Sequence, residues 1–263
     1  MSIPNIIAFC GPMGSGKDSY GTTYKNFINS KNLIHYSFAT PLKEELNQIV
    51  KLIKKNKLDS DEKLSKQSKK LNTSKKELQE LIIILSEELN TNPDLNFFTD
   101  RSINIRKALQ YWGTTVRRTQ DINYWVKKAR IFLENKIFIG DLVYITDARF
   151  SNECNLIRDL GGVLVYLEAP ERERIKRIEL RDGITPKKEL LNHPSEIEIQ
   201  SYPDFNIKIN TVENNDLLQN IKKIIKRWDL NISSFLFTIF KFYVIIFLLK
   251  LEVKTKWDIH III

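Results

Sequence analysis

Gly11-Pro-Met-Gly-Ser-Gly-Lys-Asp18 decides how this chain is read. Ahead of it, Ile6-Ile-Ala-Phe-Cys10 has the length and apolarity of a short buried strand, and behind it Ser19 to Asn29 can form a helix. A strand, a Gly-rich turn and a helix aim backbone N–H groups and a helix N-terminus at one point, which suits the β- and γ-phosphates of a nucleotide. Lys17 would bring a mobile positive charge to the same point. Three of the chain's nine glycines fall within these eight residues, a clustering that chance does not explain. The loop departs from G-x-x-x-x-G-K-[ST] at Asp18, where a hydroxyl would normally touch magnesium. A carboxylate is also a hard oxygen ligand, and Ser19 can supply the displaced hydroxyl. Gly14, Ser15, Gly16, Lys17, Asp18 and Ser19 are therefore the candidate residues for ATP phosphates and Mg2+.

The rest of the composition narrows the class. A chain of 263 residues with 42 % hydrophobic and 28 % charged residues is long enough for one large domain, or one domain with insertions. Cys10 and Cys154 lie in or beside apolar segments without pairing or metal spacing, which fits a reducing compartment. Three histidines and no His/Cys cluster make a zinc site improbable. The N-terminus runs into its first strand at once, leaving no room for a signal peptide. The net charge of +9 invites a nucleic-acid reading, but its distribution speaks against one. Lys51 to Lys76 holds ten lysines against three acids, and Glu77 to Asp100 then holds six acids and no base, so the two stretches nearly cancel. No nucleic-acid partner is expected.

Short apolar segments at Ile6–Cys10, Leu33–Phe38, Val143–Asp147, Gly161–Leu167 and Ile207–Ile209 alternate with helical ones at Pro41–Val50, Leu78–Leu89, Ile103–Arg118, Glu171–Arg181 and Leu217–Trp228. That alternation predicts an α/β fold with a parallel sheet covered on both faces. Residues 51–76 show little apolar periodicity and read as a solvated helix or a partly disordered excursion.

Three further segments carry chemistry. At about 100° per residue, Arg106, Gln110, Gly113 and Arg117 share one face of the 103–118 helix, beside an apolar face of Ile105, Leu109, Trp112 and Val116. Two guanidinium groups and an amide suit docking a phosphate and reading a base edge; a solvated polar stripe would look the same. Asp147 ends a buried strand, where ligands of open α/β sheets bind, with Arg149 and Glu153 following. The alternative there is an ordinary turn aspartate beside a surface arginine. Arg174, Arg177 and Arg181 recur on one face of a charged helix. Such arginines suit the spread charge of phosphoryl transfer, though interleaved glutamates also fit a solvated helix.

In their order along the chain these segments resemble the deoxynucleoside monophosphate kinases of phage and large-virus type, within the P-loop kinase superfamily. The resemblance covers residues 3–227. It is carried by Gly11–Asp18, Phe38-Ala-Thr-Pro-Leu-Lys43, Arg106-Lys-Ala-Leu-Gln110 leading to Gly113-Thr114 and Arg117-Arg118, Tyr124-Trp125, Thr146-Asp-Ala-Arg-Phe-Ser-Asn-Glu153, Gly161-Gly162 and His193-Pro-Ser-Glu196. It implies a P-loop NTPase three-layer sandwich with a parallel sheet, a helical acceptor-binding insertion and an arginine-bearing lid. It further implies transfer of the ATP γ-phosphate to a deoxynucleoside monophosphate, with Mg2+, in the cytoplasm of a host cell if the chain is viral. By position, Lys17, Arg177 and Arg181 would be catalytic. Lys43, Arg106, Gln110, Arg117, Asp147, Arg149 and Glu153 would contact the acceptor, and Asp18 and Asp147 the metal. A kinase for another phosphorylated metabolite such as phosphomevalonate, and a membrane-tethered nucleotide-binding module without transfer activity, are the competing readings.

The expected kinase domain spans residues 1–230, with a polar insertion at about 51–100, followed by a hydrophobic extension at 231–263. Residues 232–249 form an eighteen-residue apolar run broken by Lys241. A bilayer span needs about 20 apolar residues, and a central lysine opposes insertion. The run therefore reads as a membrane anchor, as an element packed on the domain or a partner, or as a readthrough tail. A homodimer is a further open partner.

Overall fold

The computed structural model describes residues 4–228 apart from 101, 184, 214 and 215, with the backbone alone at 189 and 190. The apolar run 232–249 lies outside the described residues.

Strand β1 (Ile6–Cys10) is buried along its whole length. Alternate side chains of a strand point to opposite faces, so β1 feeds two cores at once. Ile6, Ala8 and Cys10 enter one, while Ile7 and Phe9 enter the other. From β1 the chain passes through the phosphate loop into helix α1 (Lys17–Ile28), then β2 (Leu33–Tyr36) and α2 (Ala39–Lys54). A helical excursion follows: α3 (Asp61–Lys70), α4 (Lys75–Thr91) and α5 (Ile103–Gln110), continued by a π-helical stretch at Tyr111–Arg118. Then come α6 (Tyr124–Phe138), β3 (Leu142–Ile145), α7 (Ser151–Asp159), β4 (Val163–Glu168), α8 (Glu171–Asp182), α9 (Lys188–Leu191), α10 (Pro194–Ser201) and β5 (Ile207–Asn210). A last helix covers 217–228.

All pairings in the five-stranded sheet are parallel, in the order β2-β3-β1-β4-β5. Each parallel pair needs a crossover, and the crossover helices cover both faces. Side chains of α6, α7 and α10 fill one face, and those of α1 and the 217–228 helix fill the other. The protein is thus an α/β three-layer sandwich of the P-loop NTPase type, with β1 central and its loop at the carboxyl end of the sheet.

A third core lies among α2, α3, α4, α5, the π-helical stretch and Trp125. Of the two readings of 51–76, the structure shows the solvated helix and not the disordered excursion, and adds that its buried stripe joins this core. Ser60 caps α3 by accepting the Lys63 N–H, and Leu64 is buried in the helical core. Ser74 and Glu77 form a reciprocal capping box at the start of α4. The many lysines of α3 lie outward because only a narrow stripe, Leu64 and Ser68, is buried. Helices α6 and α7 were not foreseen; α6 mixes Tyr, Trp and Ile with lysines and has no clean apolar stripe. Among the described residues no helix is long and apolar enough to cross a membrane.

Candidate functional site

The glycine-rich loop after β1 owes its shape to backbone dihedrals that glycine adopts freely. Gly14 and Gly16 have φ of +79° and +98°. At Gly14 a Cβ would lie 2.5 Å from the Arg174 carbonyl oxygen, so only hydrogen fits where the loop packs on α8. Helix α1 begins without a side-chain cap. Among the described residues no hydrogen bond is made to the backbone N–H groups of Gly14, Gly16, Lys17, Asp18 or Ser19. A helix leaves its first N–H groups without internal partners, and together with the positive end of the dipole they form an anion site.

Lys17 is 8 % exposed, and its Nζ folds back on the carbonyls of Gly11 (2.7 Å) and Pro12 (2.8 Å). Burial, and then the Arg149 guanidinium, pull its pKa down to about 8. Asp18 and Ser19 stand exposed at the mouth of the loop, while Ser15 is fully buried with its hydroxyl unpartnered among the described residues.

The arginines of α8 reach the same loop. Arg174, 5 % exposed, donates to Met13 O at 3.1 Å, and Arg177 donates to Gly14 O at 3.3 Å while its other donors hold Thr211. Arg181 lies one turn on, exposed and paired in bidentate fashion with Asp182. Arg149 approaches from the end of β3: it pairs with Glu196, whose other oxygen accepts the Met13 N–H at 2.6 Å. Lys17, Arg149, Arg174 and Arg177 thus come together around one loop.

The remaining candidates divide. Arg106 and Gln110 are exposed on α5. Lys43 on α2 lies over the Phe98 ring, 5.6 Å from its centroid. Arg117 does not join Arg106 and Gln110, and the shared face read from the sequence is corrected here. Beyond Gln110 the backbone turns as a π-helix, so spacing at 100° per residue no longer applies. Gly113 lies against Leu42, where a Cβ would come within 2.8 Å of Cδ2, and its carbonyl accepts the Trp125 indole N–H at 3.0 Å. Arg117 turns inward, 2 % exposed, to Glu45 at 3.1 Å and the carbonyls of Leu71 and Asn72.

Asp147 and Glu153 follow β3, where the sequence reading put them, and their oxygens are held by neighbouring donors. One Asp147 oxygen accepts the Phe38 N–H, and the other accepts the Ala39 N–H and the Ser37 hydroxyl. The strand-end carboxylate therefore caps α2, because the first N–H groups of a helix lack internal partners and its N-terminus favours negative charge. Among the described residues no group of three or more His, Cys, Asp or Glu is arranged to hold a metal. Glu153 is 2 % exposed, pairs with Arg118 at 2.5 Å, and accepts the Arg149 and Phe150 N–H groups at the start of α7. Burial raises its pKa to about 7 against the pull of Arg118. Glu153 shapes the turn that presents Arg149; its oxygens are already occupied.

Sequence reasoning left Glu196 without a role. The signal was present in His193-Pro-Ser-Glu196. The His193 side chain caps α10 by accepting the Ser195 N–H, Pro194 opens the first turn, and Glu196 arrives at the third helical position facing the loop.

No family model matches the chain. It is 27 % identical over 212 residues to a protein of Acanthamoeba polyphaga mimivirus named "Putative deoxynucleotide monophosphate kinase", in an alignment covering 77 % of this chain and 86 % of that relative.

Proposed function

We propose that this chain is a kinase that transfers the γ-phosphate of ATP to a deoxynucleoside monophosphate, giving the diphosphate. The observation that carries the reading is the gathering of uncommitted loop and helix N–H groups, Lys17, Arg149 and Arg177 around one point of the sheet's carboxyl end. Phosphoryl transfer needs little covalent participation from the protein and much positioning and charge stabilisation, which is what this set of donors supplies. The mimivirus relative, by its name, supports a nucleotide kinase, and the described fold accommodates that chemistry.

The amides of Gly14, Gly16, Lys17 and Asp18 would hold the ATP phosphates, and Lys17 would leave the loop carbonyls for them. The exposed oxygens of Asp18 and Ser19 fit Mg2+, which would neutralise charge on the transferring phosphate. Arg177 and Arg149 would stabilise the equatorial oxygens, with Arg181 free to swing in from its surface pair. Exposed Arg106, Gln110 and Lys43 would meet the acceptor. An acceptor phosphate oxygen is itself a competent nucleophile, so no general base is required. The kinase unit would comprise 1–230 with the helical insertion at 51–100, and the apolar 231–263 extension would be dispensable for transfer.

Coupled ADP release with each deoxynucleoside and nucleoside monophosphate in turn, and with phosphomevalonate, tests this. Turnover with at least one deoxynucleoside monophosphate is expected. Phosphorylation of phosphomevalonate alone, or ATP binding without any turnover, would replace the reading with one of its competitors.

A further inference from the structure

Lys17, Arg149, Arg174 and Arg177 crowd a single loop, and like charges at short range oppose one another unless a counter-charge stands among them. Glu196 stands there. Its side chain is almost wholly buried, with one oxygen on the Met13 N–H at 2.6 Å and the other on the Arg149 guanidinium. Its two oxygens tie together segments that lie far apart in sequence: the loop after β1 and the turn after β3. The transfer chemistry itself asks for no carboxylate behind the loop, so what Glu196 holds explains its burial.

We propose that Glu196 is the positioning residue of the phosphate site: it fixes the Met13 end of the loop and aims Arg149 across it. The turnover part of this proposal rests on the kinase reading; the anion-binding part does not.

Glu196→Gln tests this, since it keeps the side chain's shape and an acceptor oxygen for Met13 but removes the charge. The first readout is binding of inorganic triphosphate at one pH by the wild type, Glu196→Gln, Arg149→Gln and the double variant. Glu196→Gln should change the affinity several-fold when Arg149 is present and little in the Arg149→Gln background. Equal changes in both backgrounds overturn the proposal, and a folded Arg149→Gln variant guards against a misfolded Glu196 variant. The second readout is turnover with a monophosphate the wild type accepts. Glu196→Gln should lower kcat by ~10-fold or more with little change in KM for ATP. The Glu196→Gln/Arg149→Gln double variant should be no slower than Arg149→Gln alone. Fully additive losses would overturn the aiming of Arg149. A wild type that turns over no monophosphate ends the kinase reading, while the coupling of Glu196 and Arg149 in triphosphate binding still decides the role of Glu196.

Discussion

Glu45 among the helices and Glu196 on the phosphate loop are both buried carboxylates facing arginine, yet they sit in opposite kinds of cluster. Glu45 accepts from the Trp112 indole (2.9 Å), Arg117 Nε (3.1 Å) and the Tyr124 hydroxyl (2.5 Å), and forms an ion pair with Lys128 Nζ (3.2 Å). Burial pushes its pKa up, but the Tyr124 hydroxyl and Arg117 pull harder, so it stays below the usual carboxylate range. Arg117 spends its other donors on backbone carbonyls. Around Glu196 the cations outnumber the buried acid, and a row of backbone N–H groups stays uncommitted. A saturated cluster holds the fold together; an unsaturated one can receive an anion. That difference, more than the presence of arginines, separates scaffold from site.

The largest effect should come from the saturated cluster. Glu45→Ala leaves Arg117 charged and buried without its partner and should destabilise the protein by about 3–5 kcal/mol, measured by urea unfolding. A loss below 1 kcal/mol would show that Arg117 finds water, and the comparison would break.

In the unsaturated cluster the sign of the damage should reverse. Lys17→Ala should raise the transfer barrier by ~3 kcal/mol or more, read from kcat/KM, while the unfolding midpoint at neutral pH does not fall, because the buried charge is removed with the side chain. Gly14→Ala should come next. Its strained φ and the contact with Arg174 O predict a cost of roughly 1–3 kcal/mol, appearing as weakened nucleotide binding if the loop yields and as lost stability if α8 yields.

The smallest effect is the pH dependence of Lys17. Its pKa lies near 8 in the fold, below its ordinary value of 10.5. Below pH 8 both folded and unfolded chains carry the proton, and the full cost of the buried charge is present. Between pH 8 and 10.5 the folded chain sheds a proton that the unfolded chain keeps, so stability rises through that window. Paired urea titrations of the wild type and Lys17→Met should show the wild type gaining ~1 kcal/mol or more on the variant from pH 8 to 10.5. A constant difference would mean that Lys17 is solvated.

The parts that could be read from the sequence were those whose geometry is local. Ile6–Cys10 is a strand as its run of apolar residues predicts, and the loop after it follows from glycine spacing alone. Of the face Arg174, Arg177 and Arg181 read on α8, Arg174 and Arg177 reach the loop because α8 is a regular helix, while Arg181 pairs with Asp182 at the surface. Arg117 was misplaced because the wheel assumed a regular helix where Leu42 and Trp125 press on Gly113 and the backbone widens. Asp147 and Glu153 stand at the expected strand end, but their oxygens serve helix N-termini that residue types could not locate in space. Glu196 went unassigned because its partners, Met13 and Arg149, are 183 and 47 residues away.

The sequence by itself determined the parallel α/β layering and the shape of the glycine-rich loop after β1, since alternating apolar strands and positive-φ glycines follow from nearest-neighbour sterics and short-range burial. Only the tertiary structure decided which charges are spent and which are available. A carboxylate or guanidinium becomes scaffold or site according to how many donors and acceptors the fold brings within about 3 Å of it, and that count depends on residues far apart along the chain.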